Sequence, residues 1–243
     1  MGISQLAAQL ERAVARCRPG AGGATLLFSG GLDSSLVAYL AARHGTPLNL
    51  VTIGVPPSGD LERAASAAEI LGQKVRQYEV GTTEVRESYD RGKRRQPALG
   101  RTDRSVQVAM DLALSRVEDS WVICGQGADE LFLGYLHTFQ LSGDPMVERA
   151  EADLRKLTER DWPLTLELAK AYGKTLVSPY LDPGFLAEVA TVPWSDRKGA
   201  ERKSMLRAVA TEVGLPPSLV GRPKKAFQYG SGIDRILRSF VDR

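Results

Sequence analysis

Two glycine turns hold the residues best suited to chemistry. In LLFSGGLDSSL (26–36) an apolar run breaks at Gly30 and Gly31, with Ser29, Ser34 and Ser35 around them and Asp33 two residues on. Glycine there lets backbone approach a ligand that a Cβ would obstruct, and the amides of a following helix point to the same place. With the serine hydroxyls this makes a cradle for phosphate oxygens. Asp33 can face a phosphate only across a cation, so its functional role is as a magnesium ligand. The competing reading is an ordinary turn in which Ser29 or Asp33 caps a helix. In VICGQGADELFLGY (122–135) a second apolar run ends in Gly125 and Gly127 around Gln126, followed by Asp129 and Glu130. Carboxylates in a first helical turn are explained by capping and the helix dipole alone. The pairing of two such turns, each with an acid, adds a second reading. Asp33 and Asp129 could meet at one sheet edge and hold Mg2+ against the phosphates of ATP.

Such a meeting needs strands that place both turns at the same edge. ATLLF (24–28), LNLVTIGV (48–55), KVRQYEV (74–80) and WVICG (121–125) read as strands. Helices are expected over 4–17, from Asp33 to Ala42, over 60–71 and over 103–117. Strands alternating with helices predict an α/β fold with a parallel sheet covered by helices. RGKRRQPALGR (91–101) is basic and broken by Pro97, and reads as a surface loop. Residues 146–171 read as mostly helical despite Pro163, and another helix is expected over 199–213. The expected organisation is an N-terminal helix in 1–20, an ATP-binding α/β core in 21–140 and a largely helical part in 141–243 that completes the site.

Composition narrows the classes. The 243 residues are 25% charged and 43% hydrophobic with a formal charge of +3, too small to call for nucleic acid. No run of eighteen apolar residues and no signal peptide is seen, so membrane and export are not indicated and cytoplasm is the default. Cys17 and Cys124 are the only cysteines, which excludes a disulfide framework. His44 and His137 are the only histidines, too few for a zinc centre built from imidazoles.

SGGLDSS (29–35) and GQGADELFLGY (125–135) together resemble the synthetase domain of the asparagine synthetases, within the PP-loop ATP pyrophosphatases. SPYLDPGFLAEVA (178–190) and RPKKAFQYGSG (222–232) are similar to two further family segments, in family order. The resemblance implies an adenine nucleotide α-hydrolase-like fold. It implies cleavage of ATP between the α and β phosphates, with a substrate carboxylate adenylated, pyrophosphate released and AMP displaced by ammonia or an amine. By position it assigns Ser29, Gly30, Gly31, Asp33 and Ser34 to pyrophosphate, with Gly125 and Gly127 shaping the second turn of the nucleotide site. It makes Asp33 and Asp129 metal ligands and Lys224, rather than Lys225, the catalytic lysine. Without the resemblance, Lys224 reads as surface charge.

Family members release ammonia in a preceding glutaminase domain, whereas only about 25 residues precede the first strand here. The expectation is free ammonia, a separate glutaminase or amidotransferase partner, or another amine. Asparagine synthetases carry Glu where this chain has Gln126, and an amide cannot take a proton as a carboxylate does. The related β-lactam synthetases also depart at this position, so the product stays open. Glu130 reads equally as base or helix cap. The basic run 91–95 gives a lesser expectation of tRNA binding, and Arg104 one of substrate or ATP binding. Phe132, Tyr135 and Phe139 read as packing residues, and neither cysteine is placed as a reactive thiol.

Overall fold

The computed structural model describes residues 2–17, 23–45, 48–222 and 231–241. Five parallel strands, β1 (Ala24–Leu27), β2 (Asn49–Gly54), β3 (Val75–Glu79), β4 (Trp121–Ile123) and β5 (Thr175–Val177), form one sheet in the order β3-β2-β1-β4-β5. Alternation along the strands divides the core between the two faces. Leu26, Leu50 and Ile123 join the cluster beneath α1 (Ile3–Arg16) and α2 (Leu32–Arg43). Val51, Val122 and Leu176 face the opposite cluster. Each such buried aliphatic side chain contributes about 1.5–3 kcal/mol, and the central strands β1, β2 and β4 are mostly buried on both faces whereas the edge strand β3 is largely exposed.

β1 pairs with β2 on one side and β4 on the other, Leu26 standing opposite Leu50 and Ile123. The chain therefore leaves the sheet centre in both directions, which opens a crevice at the carboxyl ends of β1 and β4. Both glycine turns follow those two strands. The α/β class and parallel sheet expected from the sequence are those observed.

The remaining helices cover the faces and wall the crevice. α3 (Gly59–Ile70) links β2 to β3, and α4 (Thr82–Arg95) and α5 (Arg101–Arg116) follow β3. Beyond β4 come two single-turn helices, α6 (Ala128–Leu131) and α7 (Leu136–Phe139), then α8 (Gly143–Lys156). A π-turn over Leu157–Asp161 joins α8 to α9 (Trp162–Ala171). After β5 run α10 (Pro183–Ala190), α11 (Trp194–Arg197), α12 (Ser204–Glu212), α13 (Pro217–Val220) and α14 (Ile233–Val241).

Three expectations are corrected. The basic stretch 91–101 is not a loop at its start: α4 continues to Arg95, where its three basic residues suit the negative end of the helix. Gly92 is buried, and a Cβ there would lie 2.8 Å from Gln107 Oε1 and 3.1 Å from Arg104 Nη1, so the glycine serves close packing of α4 on α5. The helical second half also supplies a strand, β5, with Leu176 opposite Val122. Finally, 199–203 is not helical. α12 starts at Ser204, preceded by Lys203 at φ +62°, a left-handed conformation that a helix interior excludes. Pro163 stands in the first turn of α9, where its missing N–H is tolerated, immediately after the π-turn.

Candidate active site

Gly30 adopts φ +67°, and a Cβ there would lie 2.5 Å from the Arg63 carbonyl oxygen and 2.8 Å from Ala64 Cα. Glycine is thus required both by conformation and by the approach of α3. Gly31 is the N-cap of α2, and no side chain caps this helix. Neither Ser29 nor Asp33 fills the capping role that would have made this an ordinary turn. Ser29 and Ser34 hydroxyls lie 3.3 Å apart beside the uncapped end. The amides of a twelve-residue helix and two hydroxyls therefore converge on one spot, an arrangement suited to phosphate.

The second turn lies against the first: a Cβ on Gly125 would be 3.3 Å from Asp33 Cβ. Gly127 takes φ +96° and starts α6, whose first turn carries Asp129 and Glu130. No side chain caps α6. The turn is braced by residues 178–182. Ser178 Oγ donates to the Gln126 carbonyl at 2.6 Å, and the fully buried Tyr180 donates to the Asp33 carbonyl at 3.0 Å. Asp182 caps α10 through Gly184 N and Phe185 N and is held by Arg16 at 2.8 Å. The similarity of this segment to a family motif thus has a local purpose, since it ties both glycine turns to one strand end.

Between the turns lies Lys203, only 2% exposed. Its Nζ is 2.6 Å and 2.5 Å from the two Asp33 carboxylate oxygens and 2.6 Å from Asp129 Oδ1. Burial pushes the ammonium's pKa down, but Asp129 and Asp33 outweigh it and hold the pKa above its ordinary value. Asp33 and Asp129 are thereby brought together, with a lysine ammonium between them. Gly134 makes room for this centre, because a Cβ there would overlap Asp129 Oδ1 and sit 2.6 Å from Lys203 Cε. Neither Lys203 nor Gly134 stands out in the sequence. The only local signal is a lysine just before the serine that opens α12.

The donor set fits magnesium on one condition. Among the described residues no group of three His, Cys, Asp or Glu side chains could hold a metal. Two carboxylate oxygen donors alone do not close a shell, but they suffice for an ion that takes its other ligands from phosphates and water.

Glu130 has a hydrogen-bond partner outside this ion pair. Its Oε1 accepts a 2.6 Å hydrogen bond from Tyr135 Oη. Burial first and Asp129 second push its carboxyl up to about 7, while the Tyr135 bond works in the opposite direction. A carboxyl titrating there is suited to accept a proton near neutral pH. Tyr135 is thus more than a packing residue, unlike Phe132, which is wholly buried. Gln126 lines the same cavity, with the Cys124 thiol 3.7 Å from its Oε1. Burial pushes both Cys124 and Cys17 up to about 12, so neither is a thiolate.

The cavity has a volume of about 470 Å3 and runs from Ser29, Asp33 and Gln126 to side chains of α5, α8 and α9. His137 belongs to its wall, stacked on Tyr135 with ring centres 5.3 Å apart and 3.0 Å from Asp153 Oδ2. Arg104 does not reach it as a ligand residue. It is buried between α4 and α5, donating to the Gln96 carbonyl and, at 2.7 Å, to Gln107 Oε1. Arg91 of the basic run is engaged by the buried Asp111 at 2.6 Å.

Lys224 and Lys225 lie outside the described residues. The described flanks of their segment stand at the sheet edge: Arg222 donates to the Gly30 carbonyl at 3.2 Å and the Arg63 carbonyl at 2.9 Å. Beyond it, the Ser231 carbonyl accepts from Val55 N at 2.7 Å. No described helix is long and apolar enough to cross a membrane.

Comparison with known proteins agrees with the fold and the motifs. The family described as asparagine synthase matches residues 5–177 and 167–243. A putative glutamine-hydrolysing asparagine synthetase of Methanocaldococcus jannaschii is 30% identical over 87% of this chain and 46% of its own length. The human glutamine-hydrolysing asparagine synthetase is 31% identical over 89% of this chain and 42% of its own. The chain thus spans less than half the length of these relatives. Among solved structures, an NMN synthetase from Francisella tularensis superposes over 100% of this chain and 87% of its own, with a TM-score of 0.50 and 14% identity, a likeness of fold.

Proposed function

The chain belongs to the asparagine synthase family, and from that premise we propose that it is an ATP-dependent ligase that adenylates a carboxylate and transfers the acyl group to ammonia or another amine. The observation that carries this reading is the Lys203–Asp33–Asp129 centre set between two glycine turns at one sheet edge. A carboxylate oxygen of the substrate attacks the α-phosphorus and the bond to the β-phosphate oxygen breaks, releasing pyrophosphate. The amine then attacks the acyl carbon, AMP leaves, and the amine's surplus proton must be taken up.

The amides of α2 with Ser29 and Ser34 hold the departing pyrophosphate. Magnesium, held by Asp33 and Asp129, would neutralise phosphate charge when bound. Lys203 supplies a fixed, water-excluded positive charge beside the same two carboxylates, and Lys224 is the proposed second cation at the α-phosphate. Glu130, titrating near 7, is the proton acceptor for the amine, with Tyr135 orienting it. Gln126 can accept and donate hydrogen bonds at the reacting acyl group but cannot serve as the base. The amine is proposed to come from solution or from a separate glutaminase.

Exchange of labelled pyrophosphate into ATP tests the reading directly. Exchange dependent on an added carboxylate and on Mg2+ is expected. Lys224→Ala should suppress it far more than Lys225→Ala. Absence of exchange with every acid, in the presence of any partner that copurifies with the chain, would reject the ligase reading.

A further inference from the structure

The far wall of the cavity speaks to the acid. Leu99, Val106 and Leu164 line it from the α4–α5 connection, α5 and α9, and each is only half-buried. None of the three belongs to any of the four hydrophobic clusters among the described residues. Their apolar surface faces the cavity instead of the core, the pattern of a pocket wall. The same wall includes residues of the π-turn, Leu157 and Asp161, a backbone irregularity that recurs at functional sites.

The cations of this wall are already engaged. Arg149 Nε lies 3.1 Å from Asp153 Oδ1, and Lys156 Nζ lies 2.8 Å from Asp103 and 3.6 Å from Asp161. A substrate with a second carboxylate would bring that charge out of water to face Asp103, Asp153 and Asp161, with each neighbouring cation already serving an acid. An apolar chain would instead cover the three half-buried aliphatic side chains.

We infer that this cavity takes a monocarboxylate with an apolar chain, seated against Leu99, Val106 and Leu164, and discriminates against amino-dicarboxylates such as aspartate. The inference rests on the ligase reading for the direction in which the acid lies, its carboxylate towards the glycine turns. It goes beyond that reading in naming the class of acid.

Two measurements on the full chain test it. The first is pyrophosphate exchange with straight-chain acids from acetate to octanoate, beside L-aspartate and L-glutamate. The second is calorimetric binding of hexanoate and aspartate. Exchange efficiency should rise by about four-fold per methylene until the cavity is filled. Val106→Phe and Leu164→Phe should lower it at least ten-fold for the longest acids, with the KM for ATP unchanged. Exchange with aspartate alone would overturn the inference and leave the ligase reading standing. Hexanoate binding that Leu164→Phe abolishes, without exchange, would uphold the pocket and reject the ligase reading. A raised KM for ATP in both variants would assign this wall to the nucleotide base and overturn the inference. Neither binding nor exchange would overturn both.

Discussion

The two glycine turns look alike in sequence, yet they are supported in different ways. The first leads into a twelve-residue helix whose Leu32, Ser34, Ser35 and Leu36 are buried, so its shape is set by the core around it. The second leads into a single helical turn and depends on distant side chains: Ser178 on the Gln126 carbonyl, Leu181 against Gly127, and Lys203 on Asp129. A turn locked into the core suits a constant task such as holding phosphate. One held by contacts from elsewhere in the chain is freer to vary, and Gln126 belongs to this turn.

The largest effect is expected where the turns meet. Lys203→Met removes the only cation described between Asp33 and Asp129 and should lower pyrophosphate exchange by about 10^2–10^3-fold. Leaving two buried-side carboxylates opposed should also cost about 3–5 kcal/mol in urea unfolding. Normal exchange in a folded Lys203→Met protein would break the claim that the turns share one catalytic centre.

Glycine replacement separates the turns themselves. In Gly30→Ala the new Cβ meets backbone atoms of α3, which can yield only by moving the helix, so a loss of about 3–4 kcal/mol is expected. In Gly127→Ala it meets side-chain rather than backbone atoms, Leu181 Cδ2 at 2.7 Å and Cγ at 3.0 Å, and about 1–2 kcal/mol should be lost. Chemical denaturation of the two variants checks the order. Equal losses would mean that the second turn is as rigidly framed as the first.

The same contrast decides what could be read from the sequence. Ser29 to Ser34 and Gly125 to Asp129 are legible because glycines, serines and acids crowd into short stretches at the ends of apolar runs, although the contacts that hold the second turn come from elsewhere in the chain. Even their convergence could be expected, since strands followed by helices put successive loops at one edge of a parallel sheet. Lys203 could not be found in this way, being 170 residues from Asp33 and preceding a helix that sequence pattern alone extends back to 199. β5 escaped because three residues between helices show no alternation, although Cys124 N and Thr175 N make its edge bonds. Gly92 among four basic residues looked like a loop, whereas burial against α5 explains it. In each case the missing information lies in a tertiary neighbour.

The braces should show smaller and separable effects. Tyr180→Phe deletes the bond to the Asp33 carbonyl, and Ser178→Ala the bond to the Gln126 carbonyl, each worth about 1 kcal/mol of stability. Steady-state kinetics should then diverge. Tyr180→Phe is expected to raise the KM for ATP about three-fold, and Ser178→Ala to slow acyl transfer by a similar factor with ATP binding unchanged. Identical profiles would merge the turns into one unit.

The finest distinction is the pH response, because Glu130 belongs to the second turn and is proposed to act in the transfer step alone. Burial and Asp129 hold its carboxyl protonated up to about 7 in the folded protein, while the unfolded chain releases that proton in the ordinary carboxyl range. Its contribution to stability is therefore full at low pH and is lost as pH rises through about 7. Activity moves the opposite way, since only the carboxylate accepts the amine's proton, so transfer should gain an ascending limb near pH 7 that pyrophosphate exchange lacks. Tyr135→Phe removes the donor that favours the carboxylate and should move that limb upward by about half to one pH unit. Glu130→Gln should abolish the limb and flatten the dependence of stability on pH over the same interval. A limb that appears equally in exchange would place Glu130 in the adenylation step and remove the division of labour between the two turns.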